Sequence, residues 1–221
     1  MPTHAQPKRF GILGSGPVGQ TLARGLKAHG YEVRIGTRTP GKLAAFVKET
    51  GIAEGSFAAV AEWGEAIILA VAGEGALEAL QLAGAAHLVG KPVLDTTNPI
   101  AKEPPVDGVL KFFTGPNDSL MERLQAAHPQ AHFVKVFSSV GNSLMVDPVL
   151  PGGRPTMFIC GNDARARAIT TRLLDQFGWD TEDMGTAVAA RAIEPLAQLW
   201  CIPGFLKNDW VHAFRLVRPA R

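Results

Sequence analysis

Phe10-Gly11-Ile12-Leu13-Gly14-Ser15-Gly16-Pro17-Val18-Gly19-Gln20 is the stretch on which the reading of the whole chain turns. A short apolar run leads into Gly-x-Gly-x-x-Gly. Beyond it, Val18, Leu22 and Leu26, with the small Ala23 and Gly25, suit a helix packed on a sheet. The physical reading is a strand, a tight turn and a helix N-terminus. Gly14 permits the turn, Gly16 lets a pyrophosphate approach the backbone, and Gly19 lets helix and strand pack closely. The helix start, with Ser15, Pro17 and Val18 around it, turns free N–H groups and a partial positive charge toward phosphate.

Moving outward, residues 31–36 alternate as a second strand, and the chain continues Thr37-Arg38-Thr39-Pro40-Gly41-Lys42. A dinucleotide fold that takes NAD places a carboxylate at this strand end, where it bonds the ribose 2′-hydroxyl. Here no Asp or Glu stands there. Arg38, 22 positions after Gly16, falls close to the expected separation of about 20 residues. It can stack on adenine and pair with a 2′-phosphate. Thr37 can add a hydroxyl, and Lys42, taken as one helical turn further on, a second cation. This pattern predicts NADP(H) over NAD(H). Thr39-Pro40 reads as an N-cap with proline at the first helical position.

Downstream, strands alternate with helices. Residues 66–71 form a continuous apolar run, as a buried parallel strand does. Further strands are predicted at 92–97, 132–137 and 156–160. Residues 55–61 suit either a short strand or a helix. Ser119-x-x-Glu122 is a capping box for a helix through Ala127. Asn162 or Asp163 caps another helix to Phe177, and Trp179 to Gly185 reads as a connector. The alternation predicts an α/β, Rossmann-type doubly wound, mainly parallel sheet. The expected organisation is a flexible leader over 1–8, an NADP-binding domain over 9–185 and a helical appendage over 186–221. Pro195 and Pro203 would break or kink that appendage, which covers the cleft or makes a dimer contact.

Composition narrows the function. The chain has 221 residues, 46% hydrophobic and 19% charged, and a formal net charge of +2. That is enough apolar content for a sizeable core and too little positive charge to argue for nucleic acid. The two cysteines carry no metal-type spacing, and Cys160 reads as a buried thiol. No signal peptide or uninterrupted membrane span is recognisable, so a cytoplasmic protein is expected. Apolar residues around Trp200, Phe205 and Trp210 suggest a homodimer. His212, beside Trp210, suits packing.

Ligands in this fold lie outside the carboxyl ends of the strands. Candidates there are Val71 and Ala72, Asn98, and Ser138 to Val140. Asn98 can bond the nicotinamide ribose or amide, though Asn98-Pro99 also suits a plain turn. No triad, carboxylate pair or metal cluster stands out, so the chemistry is expected to come from a cofactor.

With the glycine turn, Gly36-Thr37-Arg38, Asp95-Thr96-Thr97-Asn98-Pro99, the run Val136-Phe137-Ser138-Ser139-Val140-Gly141 and the closing pattern from Met184 to Leu196 in view, the chain resembles the NADPH-dependent oxidoreductases that reduce the deazaflavin coenzyme F-420. The resemblance spans roughly residues 9 to 217. It implies that Ser15, Gly16, Pro17 and Val18 hold the pyrophosphate and that Thr37, Arg38 and Lys42 form the 2′-phosphate pocket. It also implies that Val71 and Ala72 line the nucleotide. Hydride then passes directly from nicotinamide to a stacked deazaflavin or flavin, with no side chain acting as acid or base. Ser138 and Val140 are the expected acceptor contacts. Relatives can carry a histidine where this chain has Ser138, which leaves deazaflavin, flavin, quinone and small carbonyl acceptors open. Two other readings stay beside this one: a non-catalytic NADP(H) sensor, and a dehydrogenase acting on a small carbonyl or imine.

Overall fold

The apolar run before Gly14 forms β1, Arg9–Leu13, at the centre of the sheet. The computed structural model describes residues 6–219. Around β1 lie β2 (Glu32–Gly36), β3 (Ala53–Gly55), β4 (Ala66–Leu69), β5 (Pro92–Asp95) and β6 (His132–Lys135). They form one six-stranded sheet in the order β3-β2-β1-β4-β5-β6, with every neighbouring pair parallel. This is the doubly wound order, whose switch point falls between β1 and β4. The chain therefore has the predicted Rossmann-type α/β architecture.

Successive strand residues face opposite sides and meet different cores. Phe10, Ile12, Ile35, Ile68, Leu94 and Val134 pack beneath α1 (Pro17–Ala28) and α6 (Ala164–Gln176). Leu13, Ile67, Leu69, Val93 and Phe133 face α3 (Phe57–Trp63), α4 (Ala76–Ala83) and α5 (Leu120–Ala127). Apolar side chains on both faces explain why the strands read as unbroken apolar runs.

Several local expectations change. The helix predicted from Thr39-Pro40 starts later, as α2 over Ala44–Thr50. The Glu54 carboxylate accepts from the N–H groups of Gly41 and Leu43, at 2.6 and 2.9 Å. The Thr37 hydroxyl accepts from Thr39 N–H at 3.2 Å. These bonds hold residues 39–43 as a turn, so Lys42 does not stand a helical turn above Arg38. The ambiguous stretch resolves as β3, a Ser56 N-cap and α3; Ser56 Oγ accepts from Ala59 N–H at 3.2 Å. Ser119 is the N-cap of α5, its Oγ accepting from Glu122 N–H at 3.2 Å. The reciprocal half of the box is not made, because the Glu122 carboxylate accepts instead from the Ser119 hydroxyl at 2.7 Å and from Arg191.

The run at 156–160 leaves the main sheet. It forms β7 (Thr156–Ile159), parallel to β8 (Asp180–Asp183), in the stretch expected to be a connector. A single antiparallel bridge, Lys135 to Cys160, joins this pair to β6. The polar β8 sequence carries no apolar alternation, so its strand was invisible to pattern reading. Asp163 caps α6 through Ala166 N–H at 2.7 Å, while Asn162 Oδ1 accepts from Ala187 N–H at 3.0 Å.

The C-terminal part is helical only to Lys207. It comprises α7 (Ala190–Ile193) and α8 (Pro195–Lys207). Pro195 opens α8 and Pro203 lies inside it. Residues 208–219 take no helix or strand and run back to β7, where Thr156 N–H donates to the Phe214 carbonyl at 2.8 Å. His212 stacks on Trp200 with ring centroids 5.0 Å apart, as expected for packing. Of the leader, residues 1–5 lie outside the described residues, and residues 6–8 are not loose: Arg172 Nε donates to Gln6 Oε1 at 2.9 Å and Lys8 N–H to Glu65 at 2.7 Å.

Candidate nucleotide site

The turn after β1 is built by its glycines in three different ways. Gly14 has φ +136°, and a Cβ there would lie 2.0 Å from the Ala70 carbonyl oxygen. A Cβ on Gly19 would lie 2.1 Å from the Gly14 carbonyl oxygen, so α1 packs against the turn only without one. Gly16 has no protein atom within 4 Å of such a Cβ. Packing therefore does not require glycine at position 16, but close approach by a ligand does. Gly16 is also the N-cap of α1, with no side-chain cap and no acidic residue in the first turn. The first-turn N–H groups of a helix have no intrahelical partner, and of these positions Pro17 has no N–H to offer.

Two adjoining cavities meet over this turn. One, of about 270 Å³, is lined by Gly14, Ser15, Gly16, Thr37, Arg38, Thr39, Lys42, Phe57 and residues 70–72. The other, of about 510 Å³, is lined by Gly16, Pro17, Val18, residues 70–74, Thr96, Thr97, Asn98, Ile100 and Lys102. Gly16, Ala70, Val71 and Ala72 belong to both, so the two form one cleft across the switch point. The fold thus brings the predicted Gly14 to Val18, Thr37, Arg38, Lys42, Val71, Ala72 and Asn98 to one cleft, and Gly19 behind it. Ser138 and Val140 line neither cavity. Val140 is in the core, and Ser138 is 4% exposed.

Ser138 still touches the site indirectly. Asn98 Nδ2 donates to the Ser138 carbonyl at 2.7 Å. Asn98 Oδ1 and Ser138 Oγ are both buried without a hydrogen-bond partner; of the two residues, Asn98 lines the cleft and Ser138 does not. Just before it, Phe137 takes φ +56°, an uncommon conformation for a bulky residue. Phe177 and Trp179, each 6.4 Å away between ring centroids, hold its ring.

Beneath Thr97 and Asn98 lies a buried ionic cluster that sequence reading missed. Lys135 Nζ is 2.6 Å from Asp95 Oδ2 and 2.8 Å from Glu194 Oε1, and donates to the Thr97 carbonyl at 2.8 Å. Asp95 Oδ1 accepts from Thr97 N–H and Oγ1 at 2.9 and 2.6 Å. Glu194 accepts from the N–H groups of Leu120 and Met121, both at 3.0 Å, at the start of α5. All three residues are at most 1% exposed. Burial works against the charge on Lys135, but Asp95 and Glu194 outweigh it and hold its pKa above the ordinary lysine value. A signal was present. Asp95 and Lys135 are charges of opposite sign at the ends of apolar strands, and buried charges must pair; the register places them opposite each other.

Two exposed ion pairs involve residues that line the cleft. Arg38 Nη1 meets Glu78 Oε2 at 3.2 Å, and Lys102 Nζ meets Glu74 Oε2 at 3.3 Å. Neither glutamate was anticipated: nothing in the sequence places Glu78, on α4, against the end of β2, or Glu74, in the turn before α4, against Lys102. Burial pushes the Cys160 thiol up to about 12, so it is inert at neutral pH. Among the described residues, no three His, Cys, Asp or Glu side chains group as a metal site, and no helix is long and apolar enough to cross a membrane.

Known proteins bear on this cleft. Residues 9–99 match the family model described as NADP oxidoreductase, coenzyme F420-dependent. A solved structure from Arthrobacter sp. FB24, named as a candidate F420-dependent NADP reductase, is 33% identical. It covers 96% of this chain and 100% of its own, with a TM-score of 0.89. The metalloreductase STEAP3 of Rattus norvegicus is 29% identical over 202 residues, covering 90% of this chain. The chain spans 39% of that curated relative's length. A hypothetical protein of Sinorhizobium meliloti shares the fold, at 22% identity and a TM-score of 0.70, over 83% of this chain and 87% of that one.

Proposed function

Because this chain belongs to the coenzyme F420-dependent NADP oxidoreductase family, we propose that its cleft binds NADP(H) and passes hydride directly between the nicotinamide and a second redox ligand, a deazaflavin or a flavin. The observation that carries this reading is the wall at the end of β2. Thr37, Arg38 and Lys42 line the cavity next to Gly16, with no carboxylate in the position that bonds an NAD ribose. The α1 N-terminus takes the pyrophosphate, and Val71 and Ala72 lie along the nucleotide. Asn98, which lines the larger of the two cavities and whose Oδ1 has no partner, suits the nicotinamide amide.

The chain's own groups bind and orient the cofactor, which supplies the redox chemistry when bound. In this reading residues 9–185 form the nucleotide-binding unit. Residues 186–221 form the appendage, and its exposed apolar side chains Leu199, Phe205 and Leu206 suit contact with a second copy. Light scattering in solution tests that assembly; a monomer at micromolar concentration rejects it.

The activity is tested by NADPH oxidation across deazaflavins, flavins and quinones, with Arg38→Ala as the cofactor control. Turnover with a deazaflavin or flavin, and a KM for NADPH that Arg38→Ala raises relative to NADH, support the reading. Tight NADPH binding with no acceptor turned over rejects the hydride-transfer part.

A further inference from the structure

Arg38 already has a partner. Glu78 reaches it from α4, 40 residues away in sequence, by a single contact at 3.2 Å. The two side chains are 64% and 58% exposed. Glu78 sits in the first turn of α4, where a helix N-terminus favours a carboxylate. We infer that Glu78 is a specificity-determining residue that competes with the 2′-phosphate of NADP(H) for Arg38. This rests on the reading of the cleft as an NADP(H) site.

The physical case is one of exchange. An exposed ion pair is weak, and a single end-on contact does not fix the guanidinium plane. A phosphate dianion can take Arg38 through two parallel N–H bonds, a stronger arrangement. Bound there, it would also lie beside the Glu78 carboxylate, a like charge. Binding NADP(H) therefore breaks the Arg38–Glu78 contact. NADH has no phosphate and leaves the contact in place. Glu78 thus lowers affinity for the phosphorylated cofactor selectively and flattens the discrimination that Arg38 creates.

Calorimetric titration of NADPH and NADH, which needs no acceptor, tests this on the full chain. Glu78→Gln should tighten NADPH binding by about two- to five-fold, the range that exposed ion pairs span, without tightening NADH. Removing the competing charge should also steepen the loss of NADPH affinity with added salt, because the phosphate then meets an unpaired cation. In an Arg38→Ala background the gain from Glu78→Gln should shrink to half or less. Glu49→Gln, which makes the same charge change in the exposed Arg24–Glu49 pair away from the cleft, controls for net charge.

Weaker NADPH binding in Glu78→Gln would make Glu78 an orienting partner and overturn the inference. So would an equal gain in both backgrounds, or a gain matched by Glu49→Gln. If Arg38→Ala does not weaken NADPH relative to NADH, the cleft reading fails and the inference falls with it. If Arg38→Ala weakens NADPH while Glu78→Gln changes nothing, only the inference falls.

Discussion

Arg38–Glu78 at one end of the cleft and Lys135–Asp95–Glu194 beneath the other are both ionic contacts between distant parts of the chain, but they differ in almost every physical respect. The first is exposed and made by a single contact between two long side chains. The second is at most 1% exposed, and each ammonium and carboxylate oxygen faces a named partner at 2.6–3.0 Å. In water the exposed pair contributes little to stability, which leaves it free to be exchanged for a ligand. The buried cluster has lost its water, so removing one member strands the others. The cleft thus keeps exchangeable charge where a phosphate is proposed to arrive and fixed charge under the loop that carries Asn98.

The sharpest way to break this contrast is Lys135→Met. It leaves two buried carboxylates without their cation and should destabilise the fold by about 3–5 kcal/mol, read from the urea midpoint. The pH dependence has a definite sign. The folded pKa of Lys135 is raised above the ordinary lysine value, about 10.4. Its contribution is therefore whole at and below neutral pH and is lost only as pH rises through the raised value. A stability difference between Lys135→Met and the parent that disappears between pH 6 and 8 would contradict the cluster. Glu194→Gln is next. It keeps the shape but turns an amide donor toward Lys135 or the α5 N–H groups, with an expected cost of about 1–3 kcal/mol.

At the exposed end the same measurements should move little. Arg38→Ala should stay within about 0.5 kcal/mol of the parent in stability yet weaken NADPH relative to NADH by about ten-fold or more, the scale of a charged hydrogen bond. Binding titrations of both cofactors check this. Smallest of all, raising salt to 0.5 M should weaken NADPH binding while hardly changing the stability difference caused by Lys135→Met, since buried pairs are screened much less. Equal salt sensitivity at the two ends would erase the distinction.

The parallel sheet and the glycine turn were legible because strand periodicity and glycine geometry are local. The wall formed by Thr37, Arg38 and Lys42 was legible for a related reason: its spacing from Gly16 follows from one strand–helix–strand unit. What escaped the sequence depends on contacts between remote segments. Glu54 bonds to Gly41 and Leu43 and unwinds the helix start expected at Thr39-Pro40. β8 is polar and is defined only by pairing with β7. Glu78 and Glu194 acquire meaning only once α4 and α7 are placed. Ser138 sits at a strand end, as expected, but the turn at Phe137 carries it into the interior rather than onto the cavity wall.

Glu194 also bears on the order in which the protein can be completed. Lys135 and the first N–H groups of α5 leave the ribosome well before the residue that matches them. Thr156, on β7, likewise waits for Phe214. Until the last stretch arrives, a nearly whole nucleotide-binding unit holds a buried cation one partner short and helix donors without an acceptor. A chain ending at residue 185 would carry the full glycine turn and still lack the carboxylate that joins Lys135 to the start of α5. The C-terminal segment is thus less an addition to the domain than the step that finishes it, and domain-wise synthesis from the N-terminus gives no earlier stopping point.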